Sequence, residues 1–347
     1  MIVEAIRKVV DRQDLTRDEA FSVMDAIMSG QATDAQIAAF LTALRMKGET
    51  VEELIGFARV MREKVSFVKT RARVQTSLSD TGREMLVDTC GTGGDATGSF
   101  NVSTATAFVV AGAGIPVAKH GNRSVSSLCG SADVVEALGV RLDLPPERVG
   151  RCIDEVGIGF CYAPLLHKAM KYVMLARREI RIRTVFNILG PLTNPARASA
   201  QVIGVYDGGL IEMMAQVLKE LGTVRAFVVH GEDGLDEIST TCESRVAELR
   251  DSWLRTYTIR PEDFGLPRAS MSDLQGGSAA DNAEIIRRIL RGERGAKRDI
   301  VVLNAGAAIV AGAKASELAE GIVMAQQSID SGAALDKLNR LVESCQR

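Results

Sequence analysis

The stretch Val87-Asp88-Thr89-Cys90-Gly91-Thr92-Gly93-Gly94-Asp95-Ala96-Thr97-Gly98-Ser99-Phe100-Asn101-Val102-Ser103-Thr104 decides how the rest of the chain is read. An apolar run over 85–87 enters a loop with four glycines. Asn101, Ser103 and Thr104 follow, and then an Ala/Val-rich run over 105–111 with the composition of a buried helix. Strand, glycine loop and helix start together make a phosphate cradle: glycines let backbone N–H groups approach an anion, and the helix N-terminus adds unpaired donors. No Gly-Lys-Ser/Thr closes the loop, so it is not a P-loop. The acid at Asp95 and the polar run after it do not belong to a dinucleotide fingerprint. A generic glycine turn is the ordinary alternative.

The 347 residues allow one large domain or two smaller ones. With 46% hydrophobic and 25% charged residues, the composition is that of a globular protein with a full core. A net charge of −2 argues against a general binder of nucleic acid or membrane surface. The six cysteines are scattered, none in Cys-x-x-Cys, and there are only three histidines, so a zinc cluster is not expected. Cys129 and Cys161 sit among apolar or small neighbours, as buried thiols do. Glu4, Arg7 and Lys8 interrupt the first apolar stretch, unlike a signal peptide, and no run is long enough to span a membrane. The expectation is a soluble, reduced, cytoplasmic protein.

Residues 1–66 carry helical periodicity throughout, with Ile37, Phe40, Leu41 and Leu44 on one face and Leu54, Phe57, Ala58 and Met61 on another. Capping boxes at Thr16-x-x-Glu19, Thr33-x-x-Gln36 and Thr50-x-x-Glu53 predict three helix starts, and Gly30 and Gly48 the stops before them. Residues 67–84 have no clear period and are expected to connect domains. From 85 onward short β-branched runs alternate with helical ones. Strands are expected over 85–87, 116–118, 201–205, 226–229 and 300–303, giving an α/β fold with a mostly parallel sheet. The tail to Arg347 is expected to supply one strand and two helices, without distinctive chemistry. There is no internal repeat and no low-complexity tract.

Ligands of such sheets lie beyond the carboxyl ends of the strands, and three further segments fall there. Lys119-His120-Gly121-Asn122-Arg123-Ser124-Val125-Ser126-Ser127 follows the second strand, and Gly130-Ser131-Ala132-Asp133 then opens a helix. This is a dense donor set, with a solvated charged loop as the alternative. Residues 167–195 combine an Arg-rich stretch (Arg177, Arg178, Arg181, Arg183), readable as an exposed helix face, with the turn signals Gly190-Pro191 and Asn194-Pro195 that fix a connection rigidly. After His230 four acids crowd residues 231–239. Adjacent Asp236 and Glu237 suit Mg²⁺, a hard cation that takes few carboxylates and completes its shell with water and phosphate oxygens. A solvated acidic turn is the alternative.

Taken together, Gly91-Thr92-Gly93-Gly94-Asp95, Asn101-Val102-Ser103-Thr104, Lys119-His120-Gly121-Asn122-Arg123, Gly130-Ser131-Ala132-Asp133, Arg183-Thr184-x-Phe186-Asn187-x-Leu189-Gly190-Pro191-Leu192-x-Asn194-Pro195 and Asp236-Glu237 resemble the anthranilate phosphoribosyltransferase family, collinearly and over nearly the whole chain. The resemblance implies transfer of the phosphoribosyl group of phosphoribosyl pyrophosphate to anthranilate in tryptophan synthesis. It implies a small helical domain, 1–75 joined by helices around 165–187, and a larger α/β domain, 76–164 and 188–347. A homodimer through the helical domain and Mg²⁺, with two ions, are also implied. The donor would be bound by Gly91, Thr92, Gly94, Asp95, Ser99, Asn101, Val102, Ser103, Thr104, Lys119, His120, Gly121, Asn122, Arg123, Ser124, Val125, Ser126, Ser127 and Ser131. Gly91, His120, Asn122, His167, Arg177 and Pro191 would face anthranilate, and Ser103, Asp236 and Glu237 the metal. Ser99 stands where the family usually has Thr. His167-Lys168 replaces the usual His-Pro, and Met174-Leu175-Ala176-Arg177 and Ile180-Arg181 replace Pro-Val-Arg and Leu-Gly. This leaves open which of Arg177, Arg178 and Arg181 meets the substrate carboxylate. The residues contain no Ser/His/Asp or Cys/His set and no evident general base. A pyrimidine-nucleoside phosphorylase is the alternative enzyme, and a non-catalytic nucleic-acid-binding paralogue the alternative of another class.

Overall fold

Four helices, α1 (Ile2–Val10), α2 (Arg17–Met28), α3 (Asp34–Lys47) and α4 (Val51–Lys64), build the N-terminal part. Thr16, Thr33 and Thr50 each accept the N3 backbone N–H, while Glu19, Gln36 and Glu53 reach back to the cap residue's own N–H. Each such cap contributes about 1 kcal/mol. Gly48 ends α3 at φ 92°, a backbone conformation glycine adopts without strain. The computed structural model describes residues 1–71, 85–94, 97–124 and 129–346.

The remainder alternates strands and helices. In order they are β1 (Val87–Gly91), α5 (Val102–Gly112), β2 (Val117–Gly121), α6 (Ser131–Ala137), α7 (Pro146–Val156) and β3 (Ile158–Tyr162). Then come α8 (Ala163–Leu166), α9 (Met174–Ile180), α10 (Phe186–Leu189), β4 (Ala200–Gly204), α11 (Ile211–Glu220) and β5 (Arg225–Gly231). An antiparallel pair, β6 (Ser244–Arg250) and β7 (Trp253–Ile259), and four helices, α12 (Ala279–Leu290), α13 (Ala296–Ala311), α14 (Leu318–Asp330) and α15 (Ala333–Gln346), complete the fold. The seven-stranded sheet has the order β3-β2-β1-β4-β5-β6-β7, parallel from β3 to β5.

The expected mostly parallel sheet is present, but its strands differ in detail. Residues 300–303 lie inside α13, where Ile300, Val301, Val302 and Leu303 are all buried. A helix apolar on every side carries no periodicity, and a short β-branched run within it mimics a strand. The structure adds β3, β6 and β7, and the described tail holds four α-helices rather than two. β1 begins at Val87, so 85–86 precede it, and β2 runs on to Gly121, which places Lys119 and His120 within a strand.

Two cores cover the two faces of the sheet. One packs α5, α6, α7 and α12 to α15 against β1, β2 and β3. The other merges α1 to α4 and the 173–192 segment with α11 and the apolar face of β4 and β5. The Arg62 guanidinium on α4 donates to the Leu192 and Leu221 carbonyls, fastening the helical part to the sheet part. Among the described residues no helix is long and apolar enough to cross a membrane.

Candidate active site

The loops after β1, β2 and β5 converge beyond the carboxyl ends of the parallel strands. β1 is the middle of the five parallel strands and pairs in full register with β4, so the glycine loop leaves the parallel part of the sheet at its middle. Gly93 and Gly94 have φ of 68° and 75°, the left-handed region that glycine occupies at no steric cost.

The 231–239 loop folds back onto this cradle. Asp236 Oδ2 accepts the Gly93 N–H at 2.8 Å, and Glu237 Oε1 accepts the Ser103 N–H, at the start of α5, at 3.0 Å. The two acids thus touch the glycine loop and the helix N-terminus directly. The approach needs glycine on the opposite side: a Cβ on Gly91 would stand 2.3 Å from Asp236 Oδ2, and one on Gly204 only 1.5 Å from the Asp236 carbonyl oxygen. Glu232 and Asp233 belong to the same loop but make other contacts. Asp233 holds the Ser239 and Thr241 hydroxyls, and Glu232 pairs with Arg245.

Two acids beside a phosphate-type cradle fit a hard divalent cation shared with a phosphate ligand. Among the described residues no group of three or more His, Cys, Asp or Glu side chains could hold an ion by themselves. Asp236, Glu237 and Ser103 are the residues here that could hold such a cation.

Other residues expected at the donor site fall around the cradle. Ser99 bridges to Gln275, Thr92 Oγ1 accepts the Tyr206 N–H, and Asn101 is held from both ends, donating to the Cys129 carbonyl and accepting from Asn282 Nδ2. The side chains of Val102 and Thr104 are buried on α5, and their N–H groups close the turn onto the Phe100 and Asn101 carbonyls. Asn122 and Ser131 hydrogen-bond each other, Gly121 sits against the Ser131 hydroxyl, and Ser124 N–H donates to Asp133. Arg123 is engaged by Asp133 and Glu136 on α6. Asp95, Val125, Ser126 and Ser127 lie outside the described residues. Gly94 is contacted by a residue not expected there: the Arg183 guanidinium, stacked over Tyr206, donates to its carbonyl.

The residues expected on the anthranilate side include a buried histidine pair. His120 and His167 are both buried, with ring centroids 5.1 Å apart, and neither Nε2 has a hydrogen-bond partner among the described residues. Burial pushes the His167 pKa down to about 4. Burial, then His167 and Lys119, push His120 well below the ordinary histidine value. Both imidazoles are therefore neutral at pH 7. Pro191 is buried, its carbonyl held by Gln201 Nε2 at 2.9 Å, so the 190–195 connection is fixed as its turn signals predict. Arg177 is half-buried over the Phe186 ring, whereas Arg178 and Arg181 are exposed.

Comparison with known proteins identifies the family. Residues 83–335 match the family model described as the glycosyl transferase family a/b domain, and residues 3–65 match its helical bundle domain. The anthranilate phosphoribosyltransferase of Geotalea uraniireducens is 58% identical over 99% of both chains. The crystal structure of the Thermus thermophilus anthranilate phosphoribosyltransferase is 43% identical over 99% of both chains, with a TM-score of 0.91. That of Saccharomyces cerevisiae, in complex with PRPP and Mg, is 26% identical over 99% of this chain and 98% of its own, with a TM-score of 0.88. The chain belongs to the anthranilate phosphoribosyltransferase family, within the glycosyl transferases that join a helical bundle to an α/β domain.

Proposed function

We propose that this chain transfers the phosphoribosyl group of phosphoribosyl pyrophosphate to the amine of anthranilate, releasing pyrophosphate, in tryptophan biosynthesis. The observation that carries the proposal is the contact of Asp236 and Glu237 with the Gly93 and Ser103 amides. The yeast relative bound to PRPP and Mg supports the donor and the metal.

The chemistry follows from charge. The C1–O bond of the donor breaks toward an oxocarbenium-like state, and the leaving diphosphate needs its charge met by preorganised donors, each worth ~3 kcal/mol when well aimed. The glycine loop and the start of α5 supply these, with Mg²⁺ held by Ser103, Asp236 and Glu237, while Lys119 holds the strand ends beneath the loop and Arg123 is anchored on α6. The donor site takes in the 91–104 loop and the 119–131 segment, Asp95 and 125–127 included. Two ions satisfy a diphosphate better than one. An aromatic amine is neutral at pH 7 and needs no strong base; once the C1–N bond forms, its surplus proton leaves to water or to the departing pyrophosphate, so unprotonated His120 and His167, with Gly91, Asn122 and Pro191, shape and desolvate its pocket. Arg177 pairs with the anthranilate carboxylate through a planar fork, and positioning supplies much of the remaining acceleration.

The helical domain comprises 1–75 together with helices around 165–187, and the α/β domain 76–164 and 188–347. Packing of α9 against α3 and of α10 against α4 supports this division. A homodimer forms through the helical domain, where Val3, Val10, Met46, Met174 and Leu175 are exposed apolar side chains. The enzyme works in the cytoplasm.

The test is direct. Purified protein with anthranilate, phosphoribosyl pyrophosphate and MgCl₂ should consume anthranilate fluorescence. Phosphorolysis of a pyrimidine nucleoside in its place would give the reaction to a phosphorylase. Light scattering on the same sample should give twice the chain mass.

A further inference from the structure

β1 and β2 part company just below the site. β1 pairs with β4 over five consecutive residues, and β2 with β3 over five, yet β1 and β2 share one register pair, Val87 with Val117. Beyond it four backbone groups that face the gap are met by side chains. The Asp88 carboxylate accepts the His120 N–H at 3.0 Å. The Lys119 ammonium donates to the Thr89 carbonyl at 2.6 Å and to the His120 carbonyl at 3.3 Å. The Asn194 amide, from the Asn-Pro turn signal, donates to the Ala118 carbonyl at 2.8 Å and accepts the Ala196 N–H. Asp88, Lys119 and Asn194 are exposed by 0%, 3% and 3%. Buried backbone groups without partners are costly, so a sheet opens in its interior only if something else takes over its hydrogen bonds.

We propose that Asp88 and Asn194 are positioning residues for the transfer: with Lys119 they wedge β1 and β2 apart and so fix the distance between the diphosphate loop leaving β1 and the His120 strand end leaving β2. The inference rests on the reaction proposed above. The two substrates of that reaction would sit on the two sides of this opening. The wedge also reaches the metal side, because the Thr89 hydroxyl donates to the Ser103 carbonyl. Neither Asp88 nor Asn194 touches substrate in this scheme. Each acts through the strand ends it holds, and a displacement of about 1 Å at the reacting atoms is enough to cost ~100-fold in rate.

Two variants test this: Asp88→Asn, which keeps shape but removes the charge facing Lys119, and Asn194→Ala, which leaves the Ala118 carbonyl without its donor. Steady-state kinetics for both substrates would be measured beside circular dichroism. The expected result is a folded protein whose kcat falls about 10- to 100-fold while each KM changes about 3-fold or less. Unchanged kcat in both variants overturns the inference. So does loss of the folded state in both, which would make the residues structural only. If the wild type itself does not consume anthranilate, the proposed reaction fails, a different outcome from wild-type activity with indifferent variants.

Discussion

Asp236 and Gly93 are joined by a 2.8 Å hydrogen bond from the Gly93 N–H to the Asp236 carboxylate, across 143 positions of chain. This contact brings an acidic loop onto a glycine loop, and it depends on small residues beneath it.

Gly204, at the end of β4, is such a residue. A methyl group there would lie 1.5 Å from the Asp236 carbonyl oxygen, a backbone atom that cannot swing aside. Gly204→Ala should push 235–237 off the cradle, cost about 1–3 kcal/mol of stability and abolish most turnover. Thermal unfolding and an activity assay check it. Wild-type turnover in the variant would mean that the Asp236 contact is dispensable.

His167 should make stability pH-dependent. Its folded pKa is depressed to about 4 from 6.5. The unfolded chain therefore takes up the proton first, and stability is full above about 6.5 and falls as pH drops toward 4. Its share is ~3 kcal/mol over that window. Urea unfolding at pH 7 and pH 5 should show a smaller loss in His167→Asn than in wild type. Parallel losses would contradict the neutral buried imidazole.

Arg177→Ala should raise the KM for anthranilate about 10- to 100-fold, the worth of a lost charge-assisted pair, with the donor KM little changed. Arg178→Ala and Arg181→Ala, at exposed positions, should be near wild type. A larger effect from either exposed arginine would move the carboxylate contact there.

How much was legible in the sequence depended on the range of the interactions. The capping boxes at Thr16, Thr33 and Thr50 are complete within four residues, and all three form. The glycine loop and the acid pair carry their chemistry in adjacent residues, and they meet. What escaped was set at long range. Residues 300–303 were misread because burial on every side erased the helical period of α13. β3, β6 and β7 gave no alternation strong enough to mark them. Asp88 and Asn194 look unremarkable in the sequence, since their work depends on a gap between strands that only the folded sheet creates. Arg183 was grouped with its exposed neighbours, yet it stacks on Tyr206 and reaches Gly94.

The most direct test of the central claim is a magnesium titration of product formation by wild type and by Asp236→Asn with Glu237→Gln. The wild type should require the metal, and the double variant should fold normally yet lose most turnover and its metal dependence. Wild-type rates and an unchanged magnesium curve in the double variant would contradict the assignment of these acids to the donor's metal.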